Sequence, residues 1–214
     1  MKQVAVIGLG RFGSSVARTL ASSGCEVLAV DVDEARVKAI ADEVTDAVRA
    51  NALDDEALRS LGLRNFEVVV VAIGHEVEAS ILTTVLLKEM GVPKIVAKAQ
   101  DDLHGRVLQK VGADIVVFPE RDMGVRLAHT LISRNVIDEI QISTDYSIME
   151  IQAPPRFLDR SLKELELRQR FGLTVLAIRR ADRIIVSPDA EQTLEEGDIL
   201  VTLGQPEKLE SLSE

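Results

Sequence analysis

At 214 residues the chain is long enough for one sizeable core and a smaller module. Hydrophobic residues make up 46% and aromatics only 3%, so the core is aliphatic, which suits the Val/Ile-rich strands of a parallel sheet. A formal net charge of −10 repels a polyanion and argues against a nucleic-acid partner, while the single cysteine, Cys25, excludes an internal disulfide or a cysteine-rich metal site. No apolar run approaches the ~20 residues that span a bilayer. The chain enters its first strand almost at once, with no leader pattern before it. A cytoplasmic protein is the expectation.

The first strand is Val4–Ile7. It runs into Gly8-Leu9-Gly10-Arg11-Phe12-Gly13, a helical stretch at Ser14–Ser22, and a second strand, Val27–Val30, that ends on Asp31. This is the phosphate-and-ribose half-site of a dinucleotide-binding fold. Gly8 makes the turn out of the strand, Gly10 lets the backbone approach phosphates, and Gly13 lets the helix pack close. The helix N-terminus offers free N–H groups and partial positive charge to an anion. Asp31 suits the ribose hydroxyls and disfavours a 2′-phosphate, but it does not separate NAD(H) from ATP, ADP or AMP.

The alternation continues to about residue 132. Strands are expected at Ala47–Ala50, Val68–Ile73, Ile95–Ala99 and Ile115–Phe118, and helices at Glu34–Ala41, Asp54–Leu61, Glu76–Met90 and Asp102–Val111. This pattern predicts an α/β fold, a Rossmann-type doubly wound parallel sheet. Gly24, Gly62, Gly91 and Gly112 read as helix C-caps, and Asp33 and Asp54 as N-caps. Residues 120–132 form one more helix, with Met123, Leu127 and Leu131 in a stripe that Val125 and Ile132 broaden. It either crosses to another subunit or packs on its own sheet.

The pattern changes around Ser133–Glu139. Strands then follow at Ile140–Ser143, Ser147–Gln152, Leu173–Arg179, Arg183–Val186 and Ile199–Leu203, with a short helix at Ser161–Leu167 and a hairpin tip at Ala181-Asp182. The expected organisation is a nucleotide-binding domain over 1–133, a linker over 134–139 and a small α+β domain over 140–214.

Several further residues fall at the carboxyl ends of strands. Phe12, within the glycine turn, and Val32, just after Asp31, are further candidate cofactor-binding residues. Asn51 and Ala52 follow strand three and border the adenine. Ala72, Ile73 and Gly74 end strand four, where small residues leave room for a ligand. Lys98 ends strand five and either reaches a terminal phosphate or is solvated. Arg11 either pairs with a phosphate, in its own subunit or a neighbour, or is a solvated helix-start arginine. Glu120 reads first as a helix-start acid favoured by the dipole. The histidines, His75, His104 and His129, form no metal-binding pair and read as helix-surface residues. Cys25, at the start of a strand, reads as a small core residue.

With these residues in hand the chain resembles the RCK regulatory subunits of the Ktr/Trk potassium-uptake systems, the Ktr type (KtrA-like) more than the duplicated Trk form. VIGLGRFGSSVARTL is similar to the family's nucleotide loop. LGLRNFEVVVVAIG and EASILTTVLLKEMGVPKIVAKA are similar to its fourth and fifth strands. VLQKVGADIVVFPERDMGVRLA resembles the sixth strand and crossover helix, and LRQRFGLTVLAI with VSPDAEQTLEEGDILVTLG the C-terminal lobe. The resemblance implies ATP or ADP, or alternatively NAD(H), in the Rossmann cleft. It implies Arg11 on the γ-phosphate of a dimer mate's ATP, and Glu120 on a divalent cation (Mg or Ca) near that phosphate. It implies helix 120–132 as an exchanged crossover, and homodimers in a ring, an octamer. The ring would dock at the inner face of the plasma membrane on a potassium-translocating KtrB/TrkH-like subunit. For the C-terminal lobe it implies cyclic di-AMP at a dimer interface, with Arg168, Ile184, Ile185 and Pro188 at matching positions. The function implied is nucleotide-gated regulation, not catalysis.

Two other functions compete. The glycine turn and Asp31 permit an NAD-dependent oxidoreductase, but no acid–base pair for hydride chemistry is evident. A redox-sensing transcriptional repressor would need a basic DNA-binding segment, and none is evident.

Overall fold

The computed structural model describes residues 2–132, 136–143, 145–205 and 208. The chain divides into two compact units, Met1–Glu120 and Arg121–Glu214.

In the first unit β1 (Gln3–Ile7), α1 (Arg11–Ser22), β2 (Glu26–Asp31), α2 (Glu34–Ile40), β3 (Asp46–Arg49), α3 (Asp55–Ser60), β4 (Val68–Val71), α4 (Val77–Glu89), β5 (Ile95–Lys98), α5 (Asp102–Val111) and β6 (Ile115–Val117) follow in order. The strands make one parallel sheet ordered β3-β2-β1-β4-β5-β6. Strand side chains alternate between two buried faces. Ala5, Ile7, Leu28, Val30, Val69 and Val71 pack against Leu58, Leu87 and Leu108 of α3, α4 and α5. Val4, Val6, Val27, Ala29 and Val70 pack against Ala17, Val37 and Ile40 of α1 and α2. The strand order reverses between β1 and β4, which opens a crevice at their carboxyl ends.

Local chemistry sets the boundaries. The Asp33 and Asp54 carboxylates accept from Ala35 and Ala57 N–H, capping α2 and α3, and Asp101 caps α5 by accepting from His104 N–H. Gly62, just past α3, has φ +66°, which a side chain rarely adopts. Cys25 is half-buried against the α1/α2 face.

In the second unit α6 (Pro119–Ile132) leads to β7 (Val136–Gln141), β8 (Ser147–Gln152), α7 (Leu162–Leu165), α8 (Leu167–Phe171), β9 (Thr174–Arg180), β10 (Arg183–Val186) and β11 (Ile199–Gly204). These strands form an antiparallel sheet ordered β10-β9-β11-β8-β7. Met149, Ile151, Phe157, Leu165, Leu167, Ile178, Leu194 and Leu200 form its core. Arg126 pairs with both Asp138 carboxylate oxygens and so joins α6 to β7.

Four expectations need adjustment. The strand expected at Ile140–Ser143 runs over Val136–Gln141 instead, and it stops short of Ser143 because Ile142 and Ser143 both donate N–H to the Tyr146 carbonyl and form the turn. The expected linker at 134–139 lies outside the described residues at 134–135, and 136–139 are strand. The single helix at Ser161–Leu167 is two helices, broken where Glu166 takes a left-handed φ of +47°. The division between units falls at Glu120, and Met123, Val125, Leu127 and Leu131 of α6 are exposed. The 133 end of the expected first domain lies outside the described residues.

Candidate nucleotide site

The glycine turn is built from two different constraints. Gly8 has φ +95°, and a Cβ there would sit 3.0 Å from the Ala72 carbonyl carbon and the Ile73 nitrogen. A Cβ on Gly13 would lie 1.8 Å from the Gly8 carbonyl oxygen. The chain's own packing therefore demands glycine at 8 and 13. Gly10 is different: its φ is −67°, open to any residue, and apart from its own chain neighbours no atom lies within 4 Å of where its Cβ would stand. Gly10 is also the N-cap of α1, with no side-chain cap bond and no acid in the first turn. The result is an open cradle of backbone donors at a helix N-terminus, the geometry that binds phosphate.

Asp31 stands beside it and is only 6% exposed. One carboxylate oxygen accepts from Leu9 N–H at 2.6 Å, and the other from Asp33 N–H at 2.8 Å. Arg36 of α2 approaches at 3.5 Å. A carboxylate has about four acceptor positions, so capacity remains for ribose hydroxyls. The acid thus also fixes the glycine turn, through Leu9. A separation of 22 residues gives no sequence signal for that bond. Val32, next to it, is exposed.

Across the crevice lie the ends of β4 and β5. Lys98 is mostly buried, and its Nζ sits 5.8 Å from the Phe12 ring centre and 2.5 Å from a Glu120 oxygen. A Cβ on Gly74 would come within 3.2 Å of the same Nζ. The Lys98 hydrogen bond is the main reason the Glu120 carboxyl is held below the usual carboxylate range; the charges of Lys98 and His75 add to it, and burial opposes. The β5–β6 register pairs Lys98 with Val117, which brings Glu120 alongside. Lys98 and Glu120, read from sequence as partners of two different charges, are here partners of each other. Ala72 is buried at the close approach to Gly8, with Ile73 next to it. Asn51 and Ala52 form a turn after β3, in which the Asn51 side chain accepts from Leu53 N–H at 3.0 Å. Arg11 is exposed at the first position of α1 and has no ion-pair partner among the described residues.

The histidine expectation needs correcting. His104 is 3% exposed rather than on a helix surface. Its Nδ1 accepts from Gln100 N–H at 3.3 Å, and burial pushes the imidazole below its ordinary value against the pull of Asp101. His75 is exposed, between β4 and α4. The His129 side chain lies outside the description.

In the second unit Arg168 lies exposed in α8, and Pro188 follows β10. Ile184 is exposed on β10 while Ile185 packs toward the core, so these neighbours do not share a face. No group of three or more metal-ligating side chains occurs among the described residues. None of the described helices is long and apolar enough to cross a membrane.

A TrkA-N domain model matches residues 4–119, and a TrkA-C domain model matches residues 146–214. The chain belongs to this TrkA-N/TrkA-C family. Among its relatives is the Ktr system potassium uptake protein C of Bacillus subtilis (strain 168), 46% identical over 95% of this chain and 92% of that protein. The Ktr system potassium uptake protein A of the same organism is 48% identical over 95% of this chain and 91% of that protein. The crystal structure of the GsuK RCK domain aligns with a TM-score of 0.68 at 20% identity, over 99% of this chain. This TrkA-N/TrkA-C chain spans 46% of that structure's length, and the likeness establishes the RCK fold. The expected Rossmann-type sheet with a small C-terminal lobe is therefore the family's fold.

Proposed function

We propose that this chain is the nucleotide-gated regulatory subunit of a potassium-uptake system. It acts by binding rather than catalysis, on the cytoplasmic face of a membrane partner of the KtrB/TrkH kind. The observation that carries the reading is the open cradle over Gly10 beside buried Asp31, in a homologue of potassium-uptake proteins. Those relatives carry transport names, which leaves the oxidoreductase alternative without support.

ATP or ADP is the proposed occupant of the cleft, with NAD(H) as a second. The phosphates take the backbone N–H groups of Gly10–Gly13 at the start of α1, because the Gly8 and Leu9 N–H groups already donate to the Val30 carbonyl and to Asp31, and the ribose takes Asp31. The exposed Arg11 is available to a γ-phosphate across a dimer. Lys98 would be free to turn to the outer phosphates, and Glu120 would then help hold a Mg or Ca ion that would offset the phosphate charge; a single carboxylate beside phosphates suits Mg in particular. The exposed stripe of α6 supports exchange between two copies, and such dimers close into a ring, an octamer. Cyclic di-AMP at the second unit, near Arg168, Ile184, Ile185 and Pro188, belongs to the same proposal.

A ligand shifts a ring only by its difference in affinity for two shapes, and a full switch needs about 5.5 kcal/mol. Identical sites in a ring sum smaller increments. The γ-phosphate is the group that ATP has and ADP lacks, so Arg11→Ala is expected to weaken ATP about tenfold and ADP far less. Calorimetric titration of both nucleotides decides this. Equal losses for the two would remove Arg11 as the discriminating contact.

A further inference from the structure

The Asn51-Ala52 turn has a tether that the nucleotide reading does not use. Helix α4 carries three hydroxyls, Ser80, Thr83 and Thr84, all fully buried. Thr84 donates to the Ser80 carbonyl four residues back at 2.8 Å, the ordinary local bond for a helical threonine. Thr83 instead donates to the carbonyl of Ala52, 31 residues away, at 3.2 Å.

That carbonyl lies in a turn whose Ala50 and Ala52 side chains pack against the core, but whose backbone has few other long-range bonds. Strand β3 is the edge of the sheet, so the turn has a neighbouring strand on one side only. There Ala50 N–H donates to the Asp31 carbonyl at 3.0 Å. Within the turn, Asn51 accepts from Leu53 N–H through its side chain and from Asp54 N–H through its carbonyl, both at 3.0 Å. These local bonds set the shape of the turn but not its distance from α4. The backbone of Asp31 holds one end; in the middle the Ala52 methyl group rests on the core and the Thr83 hydroxyl fixes the direction of the Ala52 carbonyl.

We propose that the Thr83 hydroxyl positions the Asn51-Ala52 turn against the base of the bound nucleotide, which makes Thr83 a determinant of base selectivity. The inference rests on the nucleotide reading above and deepens it. Thr83 touches no ligand; it acts through the turn. Its effect falls on the base and leaves the phosphates, which the glycine turn holds.

Thr83→Val keeps the buried volume and removes only the hydroxyl. By titration calorimetry it is expected to weaken ATP and ADP by the same factor, about 3–10-fold, the range for one lost hydrogen bond. The ratio of ATP to GTP affinity is expected to fall toward one, and Thr83→Ser to restore both readouts. Unchanged ATP affinity in Thr83→Val overturns the proposal. So does an equal loss of ATP and GTP that leaves their ratio intact, which marks a merely structural role. If the unsubstituted chain binds neither ATP nor ADP, the nucleotide reading itself fails and this proposal goes with it.

Discussion

A Gly10→Ala chain is expected to keep its fold and lose its nucleotide. With φ −67° and no atom beyond its chain neighbours within 4 Å of the new Cβ, the packing around the turn leaves room for the methyl group. The cost to the fold is that of a poorer helix N-cap, about 1 kcal/mol or less. A phosphate seated on the α1 N–H groups, by contrast, would meet the methyl group head-on. Losing about 2 kcal/mol of charge-assisted hydrogen bonding corresponds to affinity about 30-fold weaker for ATP and ADP alike. Gly13→Ala should behave in the opposite sense. Its Cβ would lie 1.8 Å from the Gly8 carbonyl oxygen, so the turn or α1 must shift and the melting temperature must drop. Calorimetric melting of both variants, alongside nucleotide titration, separates a glycine kept for the ligand from one kept for packing. Undiminished ATP and ADP binding by Gly10→Ala would mean that no phosphate lies over that position.

The two glycines also show what the sequence made legible. The spacing of Gly8, Gly10 and Gly13 between a strand and a helix points to a phosphate turn. The alternation of Val4 and Val6 with Ala5 and Ile7 matches the two buried faces of a sheet covered on both sides. The caps at Asp33 and Asp54 are short-range chemistry and can be read locally. Less legible was whatever depends on register between distant elements. Lys98 and Glu120 are 22 residues apart and meet only because β5 and β6 lie side by side. Thr83 looks like any residue of an apolar helix until α4 lies against the turn after β3. His104 carries no local sign that its ring is buried, and Glu166 takes a left-handed conformation without the glycine that usually announces one. In the α6 stripe the spacing gives an apolar face but not what covers it, and Met123, Val125, Leu127 and Leu131 are all exposed in the single chain.

The second large effect is expected in the second unit, at Arg180. Its guanidinium reaches both oxygens of Asp198, at 2.8 and 2.7 Å, together with Glu195 and the Thr193 carbonyl at 2.9 Å. Asp198 is fully buried and also accepts from Glu195 N–H at 2.9 Å. Burial is the largest single influence on this carboxyl and pushes it upward. The Arg180 hydrogen bonds, the Glu195 N–H and the Arg180 charge together outweigh it and hold Asp198 below the usual carboxylate range. Arg180→Leu leaves the carboxylate buried without its cation, which costs about 3 kcal/mol. For a unit of this size that lowers the melting temperature by more than about 10 °C. Because the folded-state value is depressed, the pair's contribution is present above about pH 3.9, the ordinary value for aspartate, and is lost as pH falls through the lower folded value. The gap between wild type and Arg180→Leu should therefore close in acid. The double variant Arg180→Leu/Asp198→Leu should recover part of the loss at neutral pH, since it removes the stranded charge. The chain has one tyrosine and no tryptophan, and Tyr146 lies beside β8, so its fluorescence reports melting of the second unit alone. A double variant no more stable than Arg180→Leu would show that the guanidinium acts through its packing and its other acceptors, with the buried Asp198 charge contributing nothing.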